Sequence, residues 1–154
     1  MQSLVQVQNE FLKFLVGKGL LSNERGLEIE QRAATEGVTA EQLLIREKII
    51  SEEELTKQKA VFFGLPYVDL IGEHLDPQIL KTIPKHVAEN YHVVAFGKDS
   101  GELKVAIIDP RNFQAMAALD ILASQESLRL RYHVVSLSGF EAAFKGYEEL
   151  KGEV

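Results

Sequence analysis

Residues 62–70 read FFGLPYVDL, a glycine and a proline set inside nine otherwise mostly apolar residues. Before this stretch apolar residues recur at helical spacing, and after it they recur at strand spacing. Lys57 to Phe63 complete a helix, and Gly64 permits a left-handed exit from it. Pro66 prevents continuation because it has no amide hydrogen to give to a further turn. Tyr67-Val68-Asp69-Leu70 then extends as a short strand. The stretch therefore divides a helical subdomain, residues 1–64, from an α/β subdomain, residues 65–154.

In the first subdomain Leu4, Phe11, Leu12, Leu15 and Val16 share one face of a helix ending near Gly17-Lys18-Gly19. Ser22 caps a second helix that runs to about Glu36, where Gly37 stops it. Thr39 with Gln42, and Ser51 with Glu54, have the capping-box spacing, in which each partner satisfies an orphan amide of the helix start. Four short helices result. Within them FLVGKGLLSNE (14–24) and LLIREKIISEE (43–53) align without gaps at an offset of 29. Leu15, Ser22 and Glu24 recur as Leu44, Ser51 and Glu53, so each copy reads as a helix end, a tight apolar turn and a newly capped helix.

In the second subdomain HVVAFGK (92–98) and LKVAIID (103–109) are β-branched runs joined by Asp99-Ser100-Gly101-Glu102, which predicts a hairpin. LRLRYHVVS (128–136) reads as a third strand. Helices are expected at Pro77–Ile83, Pro84–Glu89, Phe113–Ala123 and Ser138–Leu150. Asp109 is expected to cap the helix carrying Met116, Leu119 and Leu122, with Pro110 beginning it. The fold class is α+β: four short helices, then a small α/β unit whose three- to four-stranded sheet is covered by helices.

The chain has 154 residues, 45% apolar and 26% charged, which is ordinary globular composition. A net charge of −6 argues against a nucleic-acid partner and against anchoring on acidic lipid. No cysteine is present, so there is no disulfide framework and no thiolate metal site. No apolar run approaches the roughly 18 residues of a membrane span. The N-terminus is a poor secretory signal, and a cytoplasmic location without direct membrane insertion is expected.

Four histidines, His74, His86, His92 and His133, lack the spacing of a helical metal pair. His92 and His133 are placed on strands, facing solvent or a polar edge. Glu52-Glu53-Glu54 suit the first turn of a helix, where carboxylates complement the macrodipole. No serine, histidine and aspartate grouping suggests nucleophilic catalysis, and neither metal nor cofactor is expected.

FFGLPYVDL, followed by LDPQILKTIPKHVAENYHVVAFGKDSGELKVAIIDPRN, resembles the N-terminal domain of assembly ATPases of type II secretion systems and type IV pili, the GspE/PilB group. The matching elements are Phe63–Leu70, Asp76-Pro77, Leu80, Ile83-Pro84, Ala88, Tyr91, Val93, Val105-Ala106 and Asp109-Pro110. The resemblance extends over nearly the whole chain. It implies a non-catalytic domain lying ahead of a RecA-like motor. The phosphate-cradling G-x-x-x-x-G-K-[ST] is absent, since Gly17-Lys18 and Gly97-Lys98 lack the earlier glycine and the following hydroxyl residue. This chain is not expected to hydrolyse ATP by itself.

The resemblance implies two functions. One is docking: coupling the motor domain of a parent chain to the cytoplasmic parts of inner-membrane platform proteins of the GspL or PilM/PilN type, and so a peripheral place at the inner membrane. Interfaces concentrate their energy on aromatic and arginine anchors. Phe11, Phe14 and Arg25 in the helical half, and Arg129 and Arg131 on the last strand, are the candidates. The alternative is cyclic di-GMP binding, because some relatives are of the MshEN type and bind that ligand through tandem copies of R-L-G-x-x-L-L-x-x-G-L-L followed by a helix ending in L-x-x-Q. Aligned on Gly19, this chain has Glu10 in place of the arginine and Ala33 in place of the glutamine. The second copy has Thr39, Lys48 and Phe62 where that motif has arginine, glycine and glutamine. Arginine forks and stacks on guanine and phosphate, whereas Glu10 sets a negative charge near a dianion. Gln31, Arg46 and Gln58 lie nearby but off position.

Overall fold

The computed structural model describes residues 6–151, so Leu4 of the first helical face lies outside them. The chain divides into two units, Met1–Phe62 and Phe63–Val154, two residues before the expected seam.

The first unit carries α1 (Glu10–Gly17), α2 (Asn23–Glu36), α3 (Ala40–Arg46) and α4 (Glu52–Phe63), whose last residue opens the second. Side chains of Asn9, Ser22 and Thr39 each accept an amide of the first turn they precede, and Thr39 with Gln42 forms the full reciprocal box. Ser51 Oγ accepts from the Glu54 amide at 3.1 Å, while the Glu54 carboxylate takes the Gln58 side-chain amide at 3.0 Å instead. The apolar stripes meet in a core of Val7, Phe11, Leu12, Leu15, Leu21, Ile29, Leu43, Leu44, Ile50 and Leu55. The residues entering α1 are pinned across α2: Gln8 and Asn9 donate their amides to the Glu30 carboxylate at 2.9 and 2.6 Å. Gly26 makes that crossing fit, because a Cβ there would stand 2.9 Å from Val7 Cγ2.

The second unit orders as α5 (Pro77–Leu80), α6 (Lys85–Tyr91), β1 (Val93–Asp99), β2 (Glu102–Ile107), α7 (Phe113–Gln125), β3 (Arg129–Val134) and α8 (Leu137–Lys151). β1 and β2 pair antiparallel through a two-residue turn. Ser100 and Gly101 both take positive φ, 49° and 81°, the type I′ geometry that matches strand twist. β3 lies parallel to β2, with α7 as the crossover. Tyr67–Leu70 does not form a fourth strand. It contributes one parallel bridge, Tyr67 to Val134, made by Val68 donating to the Val134 carbonyl (3.0 Å) and Val134 donating to the Pro66 carbonyl (2.8 Å).

Four local expectations are corrected. α7 is capped by Asn112, whose side chain accepts from the Ala115 amide at 3.0 Å. Asp109 instead closes a tight turn on Arg111, taking its backbone amide and its Nε at 2.9 Å each. The side chain of an Asp readily turns back on the amide two residues on, and that use competes with capping. His92 is not on a strand: it ends α6 in a left-handed conformation, φ 53°, with its ring edge-on to Phe140 at 5.4 Å. His133 is on β3, as expected, but turns inward against Phe96 at 5.0 Å. α5 is also shorter than the expected Pro77–Ile83, and Pro84 is the cap of α6, with no cap hydrogen bond from its side chain.

The buried Tyr147 of α8 ties this unit together. Its hydroxyl lies 2.7 Å from the Ile83 carbonyl and 3.0 Å from that of Leu80, so a single hydrogen is shared between two acceptors at the end of α5. Burial raises the pKa of its phenol and keeps it a donor. Tyr147→Phe leaves both carbonyls without this donor. It is expected to lower stability by about 1–3 kcal/mol in urea unfolding followed by circular dichroism. A loss below about 0.5 kcal/mol would show that these carbonyls find other partners.

Candidate functional site

The sequence repeat of the helical unit is also a repeat of backbone hydrogen bonds. In the first copy Lys18 donates to Phe14, Gly19 to Val16 and Leu20 to Leu15, at 3.0, 3.0 and 3.1 Å. In the second Glu47 donates to Leu43, Lys48 to Ile45 and Ile49 to Leu44, each at 3.0 Å. The next helix then starts alike in both, with Ser22 Oγ accepting from Arg25 and Ser51 Oγ from Glu54. Both turns require one left-handed residue. Gly19 supplies it at φ 76° and Lys48 at φ 57°. A lysine with a Cβ therefore holds the conformation for which glycine is suited, at a cost of roughly 1–2 kcal/mol.

Between α2 and α3 runs a ladder of alternating charge. Arg32 bonds Glu36 through Nε at 3.1 Å and Glu47 through Nη1 at 2.8 Å. Arg46 reaches Glu36 at 2.6 Å, while Glu28 lies 3.8 Å from Arg25 and 3.9 Å from Arg32. The bonds from Arg46 and Arg32 hold the Glu36 carboxyl below its ordinary pKa of 4.5. Arg32, by the same kind of bond, does so for Glu47. The Arg32 guanidinium is raised in turn, chiefly by its bond to Glu47. A second ion pair, Lys59 Nζ to Glu41 at 2.7 Å, is more buried.

The candidate residues fall into three groups. Phe11 is a core residue, 3% exposed, ringed by Phe14 at 6.2 Å and Phe62 at 5.4 Å. Phe14 is half-buried, edge-on to Phe62 and covered by the Lys18 ammonium at 5.3 Å from the ring centre. Arg25 and Arg46 belong to the ladder. Gln31 is exposed on α2, and Gln58 Nε2 bonds Glu54 while its Oε1 is buried without a partner. In the other unit Arg129 and Arg131 stand exposed on β3, both directed at Glu102 of β2, at 3.9 and 2.8 Å.

The ladder is absent from the sequence reading, although the i,i+4 spacing of Glu28, Arg32 and Glu36 is a signal that could have found part of it. The Arg32–Glu47 bond, across a helix turn, carried no such signal. Among the described residues no group of three or more His, Asp or Glu side chains could hold a metal ion. No described helix is long and apolar enough to cross a membrane. Burial lowers the pKa of His133, against a backbone contact at Arg131 that raises it and with a smaller push from Lys104. Tyr132, its neighbour on β3, is raised to about 12 by burial and by Asp120.

A profile of the MshEN domain family matches residues 63–153, more than half of the chain. A curated relative, the type IV pilus assembly ATPase PilB of Myxococcus xanthus (strain DK1622), is 29% identical over 110 residues. The aligned part is 71% of this chain but 19% of that protein, so the chain spans about a fifth of the relative's length. A solved structure of MshE with cdg has TM-score 0.78 at 21% identity, covering 91% of this chain and 99% of that one. The N-terminal domain of XpsE has TM-score 0.66 at 20% identity, covering 95% and 98%. At such identities these two structures speak for the fold.

Lys48→Gly is expected to raise stability by up to about 1 kcal/mol, by removing left-handed strain against the added chain entropy. A fall of more than about 0.5 kcal/mol would show that the lysine side chain itself holds the turn. The ladder also predicts a pH dependence. Because Glu36 and Glu47 have folded-state pKa values below 4.5, their contribution is complete above that pH and disappears as pH falls through the lowered values. Acid titration read by amide exchange on α2 and α3 should loosen the native chain below pH 4.5. Glu36→Gln/Glu47→Gln should flatten that dependence.

Proposed function

We propose a function from one premise: the chain belongs to the MshEN domain family. It serves as the non-catalytic N-terminal domain of a type II secretion or type IV pilus assembly ATPase. In that role it docks the motor of its parent chain to cytoplasmic parts of inner-membrane platform proteins. The observation that carries this reading is the alignment to PilB, which accounts for most of this chain and a small part of that ATPase. The motor motifs are not in this sequence, so a role in binding and transmission suits the chain better than one in nucleotide hydrolysis. Exposed arginines in each unit, Arg25 in the first and Arg129 and Arg131 in the second, and the half-buried Phe14 of the helical unit are anchors of the kind interfaces use.

A second reading, a cyclic di-GMP sensor that regulates the ATPase, is favoured by one observation. The fold matches MshE with cdg, and the two turns of the repeat share one backbone hydrogen-bond pattern. Against it stand the side chains. Glu10 begins α1, 77% exposed in its side chain and paired with Lys13 at 3.4 Å; Thr39 is committed to its capping box; Phe62 packs on Phe11 and Phe14. Arg46, the nearest arginine of the second copy, is held by Glu36.

Purified chain should capture the cytoplasmic part of a GspL-type or PilM/PilN-type platform protein and give no heat in calorimetric titration with cyclic di-GMP. Binding of the dinucleotide at micromolar concentration or tighter, lost on altering the repeat, would reverse the order of the two readings. Failure to retain any platform protein would remove the first.

A further inference from the structure

Among the described residues the outer edge of β3 is paired at one end and carries no backbone pairing at the other. Val134 turns both backbone groups away from β2 and gives them to Pro66 and Val68. Arg129 and Val135 face the other way, donating to the Gly101 and Ile107 carbonyls at 2.9 and 3.1 Å. Alternation along a strand therefore turns the amides and carbonyls of Leu130 and Tyr132 outward, like those of Val134. Among the described residues β3 pairs only with β2 and, at Val134, with the Tyr67 bridge. Two donors and two acceptors remain in line and unpaired.

The side chains along this edge sort by face. Arg129 and Arg131, 79% and 66% exposed, lie on one face, with Lys104 opposite Arg131 in the register. Glu102 is the one carboxylate set among these three cations. The strip is positive in a chain whose net charge is −6. Leu130 and Tyr132, half-buried, lie on the other face, where Leu130 meets Leu119 and Leu122 of α7. A second copy pairing here would bring arginine against arginine in either strand direction, which disfavours self-association.

We propose that the edge of β3 at Leu130–Tyr132 is a strand-addition site for an extended segment of a partner protein in which acidic and apolar residues alternate. The backbone of that segment bonds the outward groups of Leu130 and Tyr132, its carboxylates lie beside Arg129 and Arg131, and its apolar side chains lie beside Leu130 and Tyr132. The added strand stops where Pro66–Val68 begin, so it is short, about four residues. This inference rests on the docking function proposed above, for which it supplies a surface and a partner chemistry.

The test is a titration of isotope-labelled full chain with a blocked peptide of alternating glutamate and valine, and with its lysine–valine counterpart. Amide exchange at Leu130 and Tyr132 should slow on the order of tenfold with the acidic peptide and stay unchanged with the basic one. Arg129→Glu/Arg131→Glu, two exposed changes, should reverse that preference. Unchanged exchange at both amides with the acidic peptide, or equal slowing by both peptides, would overturn the proposal without use of the variant. Capture of a platform protein without slowing at these amides would remove this surface and leave docking standing; slowing without capture would do the reverse.

Discussion

A left-handed backbone conformation just past the helix end is the constraint on which this chain depends. α1, α2, α3, α4, α6 and α7 are followed at once or within two residues by a residue of positive φ: Gly19, Gly37, Lys48, Gly64, His92 and Ser127. A right-handed residue there would let each helix run on, and its apolar stripe would rotate away from its neighbours after another turn. The reversals allow Leu15, Leu21, Leu43 and Leu44 to converge in one core. They also let the chain leave α6 directly into β1.

That constraint also explains what could be read in advance. Where glycine supplies the positive φ, as at Gly64, the helix stop was legible, and so was the change of period inside FFGLPYVDL. Where His92 or Lys48 supplies it, the residue type gives no notice, because its side chain disfavours the conformation it adopts. Sequence pattern accordingly places His92 in the strand that begins one residue later. Cap residues were legible when a single reading of the side chain was available, as for Ser22 and Thr39. Asp109 had two, and the turn onto Arg111 won. The candidate residues divide in the same way. Exposed Arg129 and Arg131 follow from strand alternation, whereas the burial of Phe11 and the Arg32–Glu47 bond depend on packing across elements.

Both units have an apolar core, and they differ in what they add to it. Around its core the helical unit adds exposed ion pairs, which salt screens and acid removes. The α/β unit relies on a sheet whose Val93, Val94, Ala95, Val105, Ala106, Ile107 and Val134 are fully buried, and on Tyr147 joined to residues more than 60 positions earlier. The family profile lies on this second unit, and the repeated turns lie on the first. In the helical unit Lys48 holds the left-handed place in the second turn that Gly19 holds in the first, and the backbone bonds of the two turns are the same.

The single bridge at Val134 has a mechanical consequence. The chain leaving α4 passes through Gly64 and is fastened to the sheet two residues later by Pro66 and Val68. Tension carried along the backbone from the helical unit arrives at those two hydrogen bonds before it reaches any other part of the sheet. Because the pairing is parallel, a pull along the strand loads both bonds in shear, the direction in which they must yield together. β3 is paired along its length with β2, so the load passes on through β3 to the hairpin. A short bridge in place of a full strand concentrates that load on two backbone bonds instead of spreading it along a ladder.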